Sequence, residues 1–264
     1  MTQFDLDSRE LAETYERVSE SQFLFGKTLV DLMGVKPGHR VLDLGCGTGR
    51  LAEYMARIVG PFGEILGIDP LPHRIDIARR KAKAGLSFEI GGSDDLGRFP
   101  DQYWDLVCLN SVFHWIERQA EALRQIHRIL KVGGKLGIGT GQRDQPNPIH
   151  AVVKEAIAAV TGELPKESFS PFLLTADEVR DLVQEAGFSV LLVKSEPYRD
   201  FVDRPEEILE FIRSSSFGNF LAAVPEVHRP AILEKVREGL EKLRTERGIE
   251  RRFLRLAVVA ERKE

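Results

Sequence analysis

The chain has 264 residues, of which 42% are hydrophobic and 30% charged; this composition excludes wholesale disorder and fits one large domain. Its net charge of −4 gives no attraction to a polyanion, so we expect no nucleic-acid partner. No run of about 18 apolar residues occurs, and the acidic first residues lack the order of a secretion signal, so we expect a cytoplasmic protein with no membrane contact. The two cysteines, Cys46 and Cys108, lack C-x-x-C spacing, and we expect no metal site.

The first half of the chain alternates between helical and strand patterns. Helical spacing of apolar residues predicts two helices within the first 33 residues, the first capped by Ser8 and the second ended by Gly34. From Arg40 onward, short apolar runs alternate with amphipathic stretches. The predicted strands are 41–44, 65–68, 86–90, 104–109 and 135–139, and the predicted helices are 51–59, 73–83 and 120–130. This rhythm predicts βαβ units and a parallel sheet with helices on both faces.

The second half of the chain adds helices and two more strands. Helices are predicted at 149–160, 176–186 and within 204–245, and strands at 188–193 and 253–260. Thr175 and Glu178 form a capping-box pattern at the start of the second of these helices. Because segment 204–245 lies between two strands of one sheet, it is predicted to be an insertion and not an independent domain. The single predicted domain divides into an N-terminal helical cover (1–33), a core (34–200), a helical lid (201–250) and a final strand (251–264).

A glycine-rich turn is the strongest functional signal in the sequence. Residues 41–49 read as a strand, a turn with three glycines and the start of a helix. Glycines at such a turn permit positive φ and let a ligand approach the backbone closely. Asp69 follows 20 residues after Gly49, at the end of the second predicted strand, where an acid can accept hydrogen bonds from ribose hydroxyls. Together these features predict a cofactor with a nucleoside, bound at the carboxyl ends of the first two strands.

The spacing of the glycines distinguishes between cofactors. The dinucleotide fingerprint is G-x-G-x-x-G, whereas this sequence has G-x-G-x-G, with Arg50 where the third glycine belongs. Asp43, two residues before the first glycine, suits a cationic ligand better than a pyrophosphate. S-adenosylmethionine carries an amino acid and a sulfonium in place of phosphates. The pattern therefore favours S-adenosylmethionine over NAD.

These motifs resemble those of the class I S-adenosylmethionine-dependent methyltransferases over roughly residues 36–140. The resemblance implies an α/β fold with a Rossmann-like, doubly wound sheet of seven mostly parallel strands, the last of them antiparallel. It also implies S-adenosyl-L-methionine as the cofactor. The implied contacts are Asp43, Gly45, Cys46, Gly47 and Gly49 for the methionine end, Asp69 for the ribose, Pro70 for the adenine, Ser93 through its backbone, and Asn110 and Ser111 through their carbonyls.

Two further residues near the implied cofactor site have open roles. This family often has an acid that contacts adenine at the position of Gly92. The nearby Asp94 is the candidate for that contact, and the alternative is that it makes no contact with the adenine. Tyr15, in the N-terminal helices, either closes over the cofactor or packs against the core.

His114 and Trp115 follow the fourth predicted strand. They resemble the His-Trp pair of a subset of the family that acts on small molecules, trans-aconitate methyltransferases among them. A carboxylate acceptor is already a nucleophile at neutral pH, whereas a hydroxyl, amine or carbon acid needs a base. His114 is the candidate for binding the acceptor or for acting as that base, and a packing role is the alternative.

We therefore predict an enzyme that O-methylates a small-molecule carboxylate. The alternatives are O-, N- or C-methylation of a secondary or quinone metabolite, or a non-catalytic cofactor-binding subunit of another methyltransferase. A carboxylate needs a fixed cation to orient it, and the candidate cations are Arg213, Arg252 and Arg255.

Overall fold

The computed structural model of the chain describes residues 3–144, 147–164 and 172–264. Its helices are α1 (Arg9–Val18), α2 (Glu20–Met33), α3 (Arg50–Val59), α4 (Pro72–Arg79), α5 (Gln119–Ile129), α6 (Pro148–Thr161), α7 (Ala176–Glu185), α8 (Pro205–Ser215) and α9 (Arg229–Glu241). Its strands are β1 (Arg40–Leu44), β2 (Glu64–Asp69), β3 (Leu86–Ile90), β4 (Trp104–Asn110), β5 (Leu130–Gly141), β6 (Phe188–Val202), β7 (Arg244–Thr245) and β8 (Gly248–Arg262).

One sheet organises the molecule, with the strand order β3-β2-β1-β4-β5-β8-β6. The first five strands run parallel, and β8 runs antiparallel to both β5 and β6. The prediction of a mostly parallel, Rossmann-like sheet with an antiparallel last strand is thus confirmed. The described residues add one short strand that was not predicted, β7, which pairs with β8.

Strand alternation gives the sheet a core on each face. In β1, Leu42 packs into the cluster beneath α5 and α7, whereas its neighbour Val41 packs into the cluster beneath α2, α3 and α4. In β4, Val107 and Cys108 divide in the same way. Because successive side chains of a strand point to opposite faces, a strand that is apolar at every position is buried on both sides. The carboxyl ends of these strands therefore lie between two layers of helices.

The residues that were predicted to cap or end helices do so in the structure. The Ser8 hydroxyl accepts the backbone N–H of Leu11 at 3.2 Å and so caps α1. Thr175 and Glu178 form the reciprocal capping box of α7, at 3.2 and 2.8 Å. Gly34 ends α2 with a φ of 70°, a left-handed conformation that glycine adopts at low cost. No helix within the described ranges has the length and apolarity needed to cross a membrane.

The strands β6 and β8 are much longer than predicted. They pair with each other along their whole length, from Phe188 opposite Arg262 to Val202 opposite Ile249. The predicted strands 188–193 and 253–260 cover only the parts that are rich in apolar residues. The remainder carries charged residues such as Lys194 and Arg199, whose side chains are exposed, so the apolar run ends before the pairing does.

A third core belongs to the helices around this extended ribbon. Residues of α6, α8, α9 and the start of β8 form it, including Val153, Ile208, Val236 and Ile249. The segment predicted as a helical insertion, 204–245, therefore contains α8 and α9, packed on α6 and on the ribbon. Helix α8 stands at the end of the sheet where β1 and β2 finish, since it borders the cavities described below.

Candidate functional site

The turn between β1 and α3 is built around three glycines with positive φ. The φ angles are 77° at Gly45, 55° at Gly47 and 82° at Gly49. A Cβ on Gly45 would lie 2.2 Å from Val112 Cγ2, and one on Gly49 would lie 2.7 Å from the Phe88 ring. A Cβ on Gly47 would meet only the Tyr15 ring, at 3.4 Å. Gly45 and Gly49 are thus required by close packing, and Gly47 faces open space.

Asp69, at the end of β2, holds this turn in place. Its carboxylate accepts the backbone N–H of Gly47 at 2.8 Å and that of Leu71 at 3.0 Å. Burial raises the pKa of Asp69, although the Arg74 guanidinium and the two N–H donors oppose the rise. Each carboxylate oxygen keeps a second lone pair, so Asp69 can still accept hydrogen bonds from a ligand.

Asp43 provides a second buried carboxylate beside the turn. Only 2% of its surface is exposed, and burial raises its pKa to about 7, with a further contribution from the charge of Asp69. Its Oδ2 has no hydrogen-bond partner among the described residues, and the same holds for Gln22 Oε1 and Asn110 Oδ1. Buried acceptors normally have donors, so this cluster fits a ligand that brings an ammonium group.

A cavity of 680 Å³ opens at the carboxyl ends of the strands, and we call it the first cavity. The predicted residues in its wall are Tyr15, Gly45, Gly47, Asp69, Pro70, Ser93, Asp94, Asn110 and Ser111. Asp43 and Cys46 line a recess of 40 Å³ that shares Tyr15, Gln22, Gly45 and Asn110 with it. Gly49 lines neither space and packs against Phe88 and Ala78, so its contact with the methionine end stays a prediction.

Asp94 is the most exposed of the predicted residues. Its side chain is 71% exposed and pairs with Arg118 at 3.0 Å. The neighbouring Asp95 accepts the backbone N–H of Gly92 at 2.8 Å and so closes the turn after β3. Asp94 therefore borders the first cavity from its outer rim, with its carboxylate shared between solvent and Arg118.

Arg74, which was not predicted as a site residue, holds together the helices α1, α4 and α8 beside the first cavity. We call these three helices the roof of the first cavity. Its guanidinium lies 4.3 Å from the centre of the Tyr15 ring, and its Nη2 donates to the carbonyl of Ser214 at 2.5 Å. Asp7 lies 3.7 Å from the same Nη2. Arg74 thereby joins α1, α4 and α8, which explains why Tyr15 lies over the cavity. No sequence motif marks this arginine, because its partners Asp7, Tyr15 and Ser214 are distant from it in the sequence.

A second cavity, of 510 Å³, adjoins the first. The two share Gln22, Ser111, Trp115 and Ser215 in their walls. The other walls come from the end of β5, from α6, from α8 and from β8. Ser111 adopts a φ of 63° directly after β4 and lies in the wall of both spaces.

His114 lines the second cavity and not the first. Its Nδ1 lies 2.9 Å from the hydroxyl of Thr140, and its ring lies 5.3 Å from that of Trp115. Burial lowers the pKa of His114 to about 4, with a smaller contribution from His150. The imidazole is therefore neutral at pH 7 and can exchange hydrogen bonds with a ligand without carrying charge.

The charged side chains in the described wall of the second cavity are all positive. Its wall contains Arg143, Lys154, Arg251 and Arg255, and no described residue of the wall is an Asp or a Glu. Of the three arginines named as candidate cations for an acceptor, Arg255 is the one that lines this cavity.

The predictions for Arg213 and Arg252 are wrong, because both side chains are exposed and neither lines a cavity. In β8, alternation places Arg251 and Arg255 on one face and Arg252 on the other. In α8, the side that meets the cavity is formed by Ile208, Phe211 and Ser215 instead.

Comparison with known proteins agrees with this geometry. Residues 42–138 match a family model described as a methyltransferase domain. Over 182 residues, the chain is 28% identical to the ubiquinone/menaquinone biosynthesis C-methyltransferase UbiE of Vibrio vulnificus, covering 62% of this chain and 70% of that protein.

Solved structures share the fold across most of the chain. One is the putative methyltransferase bound to the Trm112 activator of Haloferax volcanii, with a TM-score of 0.59, 20% identity and coverage of 96% of this chain and 94% of that one. Another is phosphoethanolamine N-methyltransferase 2 of Haemonchus contortus, solved with phosphomonomethylethanolamine and S-adenosylhomocysteine. Its TM-score is 0.57 at 17% identity, and coverage is 90% of this chain and 52% of that one.

The packing of the glycine turn predicts a position-specific loss of stability. Gly45→Ala should lower the free energy of unfolding by about 1–3 kcal/mol, because the added methyl overlaps Val112 and the positive φ disfavours alanine. Gly97→Ala is the matched control, since a Cβ there meets nothing within 4 Å. Chemical denaturation of both variants measures the difference. Equal stability of the two variants would show that Val112 yields without cost.

Proposed function

Because the chain belongs to the class I S-adenosylmethionine-dependent methyltransferases, we propose that it binds S-adenosylmethionine in the first cavity and methylates a small molecule in the second. The observation that carries this proposal is the junction of the two cavities at Ser111, Trp115 and Ser215. Methyl transfer from a sulfonium is an in-line displacement, so donor and acceptor must lie end to end. Two adjoining spaces that share wall residues meet that requirement.

The residues of the first cavity and its recess fit the groups of this cofactor. Asp43, Gln22 and Asn110 hold buried acceptor atoms without donors, and the ammonium of the methionine end would supply those donors. Asp69 would accept the ribose hydroxyls, and Pro70 and Ser93 border the space for the adenine. When bound, S-adenosylmethionine supplies an electrophilic methyl group on a cationic sulfur.

We propose a carboxylate as the methylated group of the acceptor. The second cavity carries four cationic side chains and no acid among its described residues. Arg143 and Arg251 pair with acids outside the wall. The charges of Lys154 and Arg255, which form no ion pair within the described ranges, attract an anion. A carboxylate oxygen attacks without losing a proton, which agrees with a neutral His114 whose pKa is far below 7. In this reaction His114 orients the acceptor by a hydrogen bond and removes no proton.

C-methylation of a quinone precursor is the second candidate. The named UbiE relatives favour it, and so do the aromatic walls of the second cavity, formed by Phe25, Trp115, Phe211 and Phe253. A carbon acid must lose a proton during methylation, so this reaction requires a base at the acceptor. His114 is then the base.

An acceptor screen distinguishes the two candidates. The full chain is incubated with S-adenosylmethionine bearing a labelled methyl group and with panels of small carboxylates and of demethylated quinols, and the products are identified by mass spectrometry. Methyl esters support the carboxylate proposal, and ring-methylated quinols support the alternative. The absence of label in both panels, under conditions where the cofactor binds, would contradict both acceptor proposals.

Asp69→Ala should weaken S-adenosylhomocysteine binding about ten- to a hundredfold, because a charge-assisted hydrogen bond to the ribose is worth about 1.5–3 kcal/mol. Calorimetric titration measures the dissociation constant, and the exposed Asp31→Ala serves as the control. Thermal unfolding of both variants must be followed as well, since Asp69 also holds the backbone of Gly47. An unchanged constant, or tight binding of NAD, would show that the first cavity is not built for this cofactor.

Cofactor affinity should also depend on pH through Asp43. Its pKa is about 7 in the free protein, and only the carboxylate form attracts an ammonium group. A cationic group bound beside Asp43 lowers that pKa, so binding should weaken as pH falls below 7, by about fivefold between pH 7 and pH 6. Asp43→Asn should bind more weakly at pH 8 and show a flat profile. A wild-type profile that is equally flat from pH 6 to pH 8 would separate Asp43 from the ammonium.

His114→Ala should distinguish binding from proton removal. With a carboxylate acceptor, the variant should bind the acceptor about five- to tenfold more weakly, because one hydrogen bond of about 1 kcal/mol is lost. The single-turnover rate at saturating acceptor should stay within a few-fold of the wild type. A fall of that rate by about two to four orders of magnitude would instead identify His114 as a general base.

A further inference from the structure

The cations of the second cavity differ in what already neutralises them. Arg143 pairs with Glu178 at 2.5 Å, and Arg251 pairs through its Nε with Asp200 Oδ1 at 2.7 Å. Lys154 lies on α6, one helical turn after His150, and the charge of Lys154 lowers the pKa of that histidine. Arg255 forms no ion pair with any acid in the part of the chain that the structure describes. Among the arginines of the wall, Arg255 is therefore the one without a direct ion pair in the described part of the chain, and the charge of Asp200 reaches it only from a distance.

Arg255 is held by aromatic rings. The carbon at the centre of its guanidinium lies 3.6 Å from the centre of the Tyr198 ring, 5.1 Å from that of Phe25 and 5.4 Å from that of Phe253. Rings that stack on a guanidinium use its face and leave the N–H donors in the plane available. One of these donors is engaged by the Tyr198 side chain, and the others remain for a ligand. The group is thus fixed in position and still able to bind a carboxylate through two parallel hydrogen bonds.

The acids nearest to Arg255 are occupied elsewhere. Asp200 Oδ2 accepts from both the Tyr198 hydroxyl and Arg251, and Oδ1 accepts from Arg251 Nε, so the ion pair of this carboxylate is with Arg251. Glu196 lies directly opposite Arg255 on β6, yet its carboxylate pairs with Lys194. Partial burial also lowers the pKa of Arg255, although a guanidinium stays charged at neutral pH.

The register of the sheet brings Arg255 close to the other acceptor-side residues. On β5, Gly141 lies opposite Arg255 and lines the cavity without a side chain. The preceding residue, Thr140, holds the ring of His114. Arg255 and His114 line the same cavity from opposite faces of the sheet, because Gly141 and Thr140 are successive residues of β5. On the β5 side, only a glycine stands across from the arginine.

We propose that Arg255 is the residue that binds the anionic group of the acceptor and so makes the second cavity selective for carboxylates. This assignment rests on the proposed function for its place beside the methyl donor. Arg251, neutralised by Asp200, positions Tyr198 through their shared carboxylate and keeps the ring against Arg255.

Binding of matched probes to the full chain, saturated with S-adenosylhomocysteine, tests the proposal. The probes are benzoate, phenylacetate and cinnamate, each compared with its own amide, which has the same shape and no charge. At least one carboxylate should bind the wild type ten times more tightly than its amide. Arg255→Gln should weaken that carboxylate about ten- to a hundredfold and leave the amide unchanged. Arg255→Lys should fall between the two, because lysine keeps the charge and loses the two-point geometry.

Arg252→Gln is the matched control, since it removes an exposed arginine of the same strand from the opposite face. It should bind all probes as the wild type does, and all variants should keep their affinity for S-adenosylhomocysteine. Equal binding of every carboxylate and its amide to the wild type would overturn the proposal, as would a preference that survives Arg255→Gln. Carboxylate preference in a wild type that does not bind S-adenosylhomocysteine would support the role of Arg255 and overturn the proposed function.

Discussion

The site depends on the hydrogen bonds that the Asp69 carboxylate accepts from the backbone. The carboxylate binds the backbone of Gly47 after β1 and that of Leu71 before α4, and so ties together the turns that leave two neighbouring strands. Hydrogen bonds to two backbone donors offset the desolvation of the carboxylate, which is why a buried acid can be kept here. The position of α3, of α4 and of the recess around Asp43 all follow from this one attachment.

Charge divides the two cavities. Acids predominate around the first cavity and its recess, and the described wall of the second has only cations. Under the proposed reaction, a cationic donor and an anionic acceptor each occupy the side that attracts them. Transfer of the methyl group to a carboxylate removes both charges at once. The part of the attraction that depends on the sulfonium and carboxylate charges is then lost, so both products are held less firmly than the substrates were.

The sequence was most informative where one element determines its own structure. The glycine turn, Asp69 and the helix caps were predictable because their signals lie within a few residues of one another. Arg74 and Arg251 could not be found in that way, since each owes its role to partners from distant segments. Because side chains alternate along a strand, Arg255 shares its face of β8 with Arg251 and not with Arg252. Alternation would therefore have favoured Arg251 over Arg252 as a residue of the cavity wall. The full extent of β6 and β8 was hidden because an antiparallel ribbon beyond the sheet needs no apolar face, only pairing.

The N-terminal segment and the insertion also meet, through reciprocal hydrogen bonds of 3.0 and 2.9 Å between the backbone of Gln3 and the side chain of Asn219. These partners are 216 residues apart. Contacts of such long sequence separation carry a high entropic cost and tend to form late in folding. We therefore expect the roof of the first cavity to assemble after the sheet, so that a nascent or partly unfolded chain has the strands of the site before it has a closed pocket. A ligand that requires the roof then binds only the completed fold and draws the folding equilibrium toward it.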